Sequence, residues 1–130
     1  MNKKLDTKKD IYKEVLDIAF DEHANVLKET HLKIAENIKE AANLIAKSLA
    51  SGGTIFWCGN GGSAADSQHI AAEFVGRFKK DRKPLRSIAL TTDSSILTCV
   101  ANDYSFEEVF SRQINALGRS GDVLVAITTS

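Results

Sequence analysis

The apolar pattern changes period at Ser51-Gly52-Gly53, and that change limits the possible folds more than any other feature of the sequence. Upstream, Ile11, Val15, Ile18, Ala19 and Val26 recur at helical spacing, and neither Gly nor Pro interrupts before Gly52. The spacing predicts two long helices broken near Thr30. The second carries Ile34, Ile38, Ala41, Ile45 and Leu49 on one stripe, opposite Lys33, Glu36, Lys39, Glu40 and Lys47. Downstream, short apolar runs at 54–58, 87–91 and 122–127 alternate with helical patterns at 63–79, 94–101 and 106–117. Short runs divided by helices form the buried parallel strands of βαβ units. The expectation is one α/β domain over residues 1–130, with a helical pair at 1–50 and a βαβ core at 51–130. Ser105 and Glu108 form a capping-box pattern expected to open the last helix. Because an α/β sheet normally continues from a buried strand into a covering helix, the sequence is expected to be the N-terminal part of a longer protein.

Composition narrows the function. With 43% hydrophobic and 26% charged residues the chain is in the globular range, and 17 basic against 17 acidic side chains give no net charge. Nothing global favours nucleic acid or an anionic membrane as partner, which leaves small molecules and proteins. Residues 1–10 are polar, and no stretch of eighteen apolar residues follows, so a cytoplasmic location is expected. Cys58 and Cys99 show no C-x-x-C pairing and are read as reduced, small core residues.

Gly59-Asn60-Gly61-Gly62-Ser63 joins the first strand to a helix, where bare backbone N–H groups and the positive helix end favour an anion such as phosphate. The string also fits G-x-G-x-x-A, but a dinucleotide site wants an acid about 20 positions on. That acid belongs at the end of the next strand, and the one standing there, Asp93, comes 34 residues after Gly59, so that reading fails. A P-loop pattern is absent. His69 and Glu73, at i and i+4 of the following helix, can share a metal or a substrate proton. Such pairs are commonly plain surface contacts, yet Ala64, Ala65, Ala71, Ala72 and Phe74 make this helix apolar for a surface one. Of the basic cluster Arg77, Lys79, Lys80, Arg82, Lys83 and Arg86, most are read as partners of the helix C-terminus, and only Arg77 follows Glu73 on roughly the same face. Thr91-Thr92-Asp93-Ser94 and Thr128-Thr129-Ser130 end the second and third strands, where parallel sheets bind ligands. For the first cluster, helix capping by Asp93 or Ser94 is the better explanation. Asn102-Asp103 reads as a turn.

Taken together, Cys58 to Ala65, the segment His69 to Arg77, Ala101-Asn102-Asp103-Tyr104 and Gly121 to Ser130 resemble the sugar-isomerase (SIS) domain of the phosphoheptose isomerase family. The resemblance implies a three-layer parallel sheet of flavodoxin-like order preceded by two helices. It also implies an enzyme interconverting sedoheptulose 7-phosphate and D-glycero-D-manno-heptose 7-phosphate through an enediol, for lipopolysaccharide or other surface carbohydrate, and a homotetramer with sites at subunit interfaces. By the same resemblance Ser63, Thr128, Thr129 and Ser130 bind phosphate, while Asn60, Arg77 and Asp103 hold sugar hydroxyls; Gly61, Gly62 and Asn102 complete the expected substrate-binding set. Glu73 is the catalytic carboxylate, and His69 with Glu73 supplies half of a zinc site whose other ligands, a Gln and a His, lie beyond residue 130. Two ligands are fewer than zinc sites use, so the 130-residue chain is expected to be inactive alone. A non-catalytic SIS protein that binds a phosphosugar or a replication-initiator protein is the alternative; it has no use for a base such as Glu73.

Overall fold

The absence of Gly and Pro from residues 4–50 has a direct consequence. In the computed structural model, which describes residues 4–129 with side chains from Ile11 onward, this stretch is one uninterrupted helix, α1 (Lys4–Ala50). The expected pair of helices is therefore corrected. Thr30 disfavours helix by less than about 1 kcal/mol relative to Ala, too little to break a run that nothing else interrupts. After α1 come β1 (Ile55–Gly59), α2 (Gly62–Val75), β2 (Ser87–Ala89), α3 (Ser94–Asp103), a 3-10 turn (Phe106–Glu108), α4 (Ser111–Leu117) and β3 (Val123–Ile127). The chain divides into two compact units between Ala41 and Ala42.

The first unit is helical. Its surface carries the ion pairs Lys13–Asp17 (2.8 Å) and Glu29–Lys33 (2.9 Å), each adding a few tenths of a kcal/mol. It also exposes large apolar side chains, Phe20 at 73% and Val26 at 64% among them.

The second unit is a parallel sheet in the order β2-β1-β3, with Phe56 of β1 opposite Ile88 and Leu124. All five residues of the central β1 are buried, as expected of a strand covered on both faces. Alternation sorts its side chains. Ile55 and Trp57 meet Ala71 of α2 and Ala89, with Ile45 and Leu49 packed alongside, while Phe56 and Cys58 meet Leu90 on the opposite face beside Phe110 and Ile114. Burying Ile55 completely contributes about 1.5–3 kcal/mol. Trp57 satisfies its indole N–H on Ser87 Oγ at 2.8 Å and packs its ring 5.5 Å from that of Phe74. At the amino end of the sheet Asp122 accepts the N–H groups of Thr54 (2.7 Å) and Arg119 (2.8 Å), and Ser48 donates to the Gly121 carbonyl (2.6 Å).

Three local expectations change. Cys58 is buried but Cys99 is exposed, because α3 turns only Val100 fully inward. Ser105 and Glu108 bracket the 3-10 turn and form no side-chain cap, and the helix starts only at Ser111. Here burial of Val109 and two hydrogen bonds from Gln113 Nε2, to the carbonyls of Leu90 (3.0 Å) and Val109 (2.8 Å), outweigh the local signal. Finally, α2 stops at Val75 rather than near Lys79, and its buried stripe is Ser63, Ser67 and Ala71, with Ala65 and Ala72 facing outward.

Candidate functional site

The carboxyl ends of β1 and β3 and the start of α2 converge on one cleft. Gly59 makes the convergence possible: a Cβ there would stand 2.7 Å from Ser63 Cβ and 2.8 Å from the Ile127 carbonyl oxygen. Gly61, the residue before α2, has φ 55° and ψ −123°, a conformation that side chains with a Cβ rarely adopt. No side chain caps this helix. Its first turn closes through Ser63 N–H to the Asn60 carbonyl (3.0 Å) and Ala64 N–H to the Gly61 carbonyl (3.1 Å). The positive end of α2 thus opens on a cleft of ≈ 310 Å³ lined by Asn60, Ser63, Thr128 and Thr129, with Cys58, Phe110 and Ile127 among its apolar residues. Donors and a partial positive charge in a recess of this kind suit an anionic oxygen cluster. A second recess, ≈ 120 Å³, adjoins Asn60 and Gly61 and is lined by Thr91, Leu97, Phe106 and Phe110 among others. The aromatic pair Phe106 and Phe110 escaped the sequence reading; its i, i+4 spacing was the available signal.

Helix α2 carries the second feature. Glu73 Oε1 lies 3.8 Å from His69 Nε2, with the Glu73 side chain one-third exposed and that of His69 76% exposed. Glu73 Oε2 is buried and has no hydrogen-bond partner. A carboxylate oxygen out of water without a donor is costly, and such atoms in native folds mark strain, a ligand or a catalytic role. His69 and Glu73 are donors of the types zinc takes, but they are two. Among the described residues no group of three or more His, Cys, Asp or Glu could hold a metal.

The other expected site residues scatter. Arg77 is exposed just after α2. The loop cation that closes this helix is Arg82, whose guanidinium donates to the carbonyls of Glu73 (2.7 Å) and Phe74 (2.8 Å). Asn102 and Asp103 end α3 and line neither recess; Asn102 Nδ2 donates to Asp103 Oδ1 at 2.9 Å, and Cys99 Sγ–H to Oδ2 at 3.3 Å. These bonds, that from Asn102 first, hold the Asp103 carboxyl below its usual range, and the same carboxylate raises the Cys99 thiol. Asp93 caps α3 through the Ile96 N–H (2.9 Å). Ser130 lies outside the described residues. A larger cleft, ≈ 500 Å³, is at the opposite end of the sheet, where Arg86 is already bonded to Thr54 Oγ1 at 3.0 Å.

Residues 20–130 match the family described as SIS domain. This chain belongs to the SIS-domain family. Within that family it is 60% identical over 97 residues to a phosphoheptose isomerase of Bordetella avium, covering 75% of this chain and 49% of that protein. It is 54% identical over 115 residues to one of Paramagnetospirillum magneticum, covering 88% and 60%. Among solved structures, the phosphoheptose isomerase of Neisseria gonorrhoeae is 46% identical and superposes with a TM-score of 0.83 over 92% of this chain and 61% of its own. That of Francisella tularensis, 34% identical, gives 0.86 over 92% and 62%. This SIS chain therefore spans about half to three-fifths of the length of these relatives. Among the described residues no helix is long and apolar enough to cross a membrane.

Proposed function

We propose that the protein works as a cytoplasmic aldose-ketose isomerase that interconverts sedoheptulose 7-phosphate and D-glycero-D-manno-heptose 7-phosphate, feeding heptose into lipopolysaccharide or other surface carbohydrate. The observation that carries this reading is Glu73 Oε2, buried without a donor. An oxygen of this kind is poorly satisfied at rest and well placed to take a proton. Isomerisation between adjacent carbons needs one such base, a group to polarise the carbonyl and a clamp on the phosphate. In this reading Glu73 abstracts the proton, and the Ser63, Thr128 and Thr129 cleft at the positive end of α2 holds the phosphate. Asn60, Arg77, Asn102 and Asp103 meet hydroxyls. The names of the relatives support the same substrate.

Ser63 and Glu73 are ten residues apart along α2, about 15 Å between their backbones at helical rise. A homo-oligomer, a tetramer by resemblance, with sites between subunits belongs to this reading. The exposed apolar side chains of α1 supply surface for that assembly. Zinc belongs to this reading as a Lewis acid that would polarise the carbonyl. His69 and Glu73 would supply two ligands, the others coming from outside the described residues.

Glu73→Gln keeps the shape and one acceptor but cannot take a proton. In the assembled enzyme it should cut turnover by about 10²–10⁴-fold while sedoheptulose 7-phosphate still binds. Exchange of the substrate's C2 proton with solvent at the wild-type rate would falsify the base role. His69→Ala should lower bound zinc, read by metal analysis, as well as rate.

A further inference from the structure

The cleft at the start of α2 takes its lining from both faces of the sheet. Ser63 comes from α2, which packs on the Ile55 and Trp57 face of β1, whereas Phe110 and Ile114 pack on the Phe56 and Cys58 face. The cleft is therefore rich in donors toward α2 and apolar toward α4, where Phe110 is its wall. The same ring lines the second recess, with Leu97 and Phe106, so it stands where the two recesses meet. A phosphate ester suits such a lining, because three of its oxygens take donors and the fourth carries carbon. Inorganic phosphate has no carbon to offer, and an oxygen turned toward Phe110 is left without a donor.

The start of α4 does not fix this ring by itself. No side chain caps the helix, and Phe110 is only partly buried. Gln113 braces it from within. Its side chain is 6% exposed, and Nε2 donates to the carbonyls of Leu90 at 3.0 Å and Val109 at 2.8 Å, which uses both amide hydrogens. Leu90 and Val109 are each 1% exposed, so the amide ties the residue before Phe110 to the residue after β2 inside the core. Burying an amide there costs desolvation that a leucine would avoid, and the two bonds are what it supplies in return.

We infer that Gln113 is a positioning residue: its amide holds Phe110 as the wall on which the ester carbon of a bound phosphate lies, so that the cleft selects phosphate esters over inorganic phosphate. The selection rests on the phosphate reading of the cleft given above, and the brace on the geometry of Gln113 alone. Gln113 itself touches no ligand. Its contribution is to order the wall before the ligand arrives.

Two measurements on the full-length protein decide the matter, with Gln113→Met, which fills the same volume without a donor. In the first, hydrogen exchange is followed at the Ile114 amide, which bonds the Phe110 carbonyl at 3.0 Å. It should exchange several-fold faster in the variant, with the amides of β1 unchanged. Equal rates overturn the brace, as does equal acceleration in β1, the sign of lost stability alone. In the second, calorimetry gives the affinities for glycerol 3-phosphate and for inorganic phosphate. Wild type should bind the ester more tightly, and Gln113→Met and Phe110→Ala should each narrow that preference several-fold. Loss of folded protein by itself lowers the number of sites and leaves the ratio of affinities in place. An unchanged ratio in Gln113→Met overturns the positioning role, and so does a wild type that binds the two probes equally or neither of them. A wild type that selects the ester yet does not isomerise sedoheptulose 7-phosphate supports the wall and counts against the isomerase reading alone.

Discussion

Gly59→Ala tests the geometry on which the phosphate cleft depends. The φ of Gly59 is not in the left-handed region, so alanine is acceptable to the backbone and the objection is one of contact alone. The new Cβ would stand 2.7 Å from Ser63 Cβ, 2.8 Å from the Ile127 carbonyl oxygen and 2.9 Å from the Ser63 carbonyl oxygen. Ordinary carbon contacts lie at roughly 3.5–4.0 Å, and all three neighbours are backbone or the Cβ atom nearest it. The first turn of α2 must therefore back away from the sheet by roughly 1 Å. Overpacking of this kind costs about 1–3 kcal/mol, and the stiffer unfolded chain offsets about 0.4–1 kcal/mol of it. A net loss of about 0–2.5 kcal/mol follows. Gly62→Ala is the control, since its Cβ meets nothing within 4 Å and its φ is not in the left-handed region. That variant should gain up to about 1 kcal/mol. Urea unfolding read by fluorescence suits the comparison, because the single tryptophan, Trp57, is buried against Phe74 in the core that unfolding exposes. Equal midpoints for the two variants would show that α2 does not need its close approach to β1 and β3.

The hydrogen bonds from the Thr54 N–H, first, and the Arg119 N–H lower the pKa of Asp122, so it contributes stability above its unfolded value near 3.9 that is lost as pH falls through the lower folded value. Asp122→Asn should therefore lower stability at neutral pH and narrow its difference from wild type in acid; parallel curves of stability against pH would refute this. Arg82→Ala removes the guanidinium from the last carbonyls of α2, and the Gly76 amide, bonded to the Ala72 carbonyl at 2.8 Å, should exchange hydrogen faster while amides of β1 do not. For assembly, light scattering should report an oligomer at tens of micromolar, with Phe20→Ser shifting it toward monomer. A clean monomer in the wild type removes the interfacial site.

Local chemistry made much of this protein readable in one dimension. The change of period at Gly52-Gly53 announced parallel strands because strands buried on both faces must be short and apolar. The glycines after β1 announced a tight turn into α2 because only glycine permits Gly61's φ and Gly59's approach to Ser63. Asp93 announced a helix cap, and the basic cluster announced cations at the end of α2, since the Asp93 cap spans three residues and the Arg82 contacts no more than nine. What the tertiary structure alone decided depends on contacts between distant segments. The register of β1 on its two neighbours comes from which residues pair, and the exposure of Cys99 from how α3 is rotated against the sheet. The capping pattern at Ser105 and Glu108 yielded to the burial of Val109, and although apolar neighbours set Glu73 on an unusual helix, only the packing left one of its oxygens buried without a partner. Hydrophobic period and backbone sterics are properties of a segment and survive in isolation. Burial, pairing and an unsatisfied atom exist only once the segments meet.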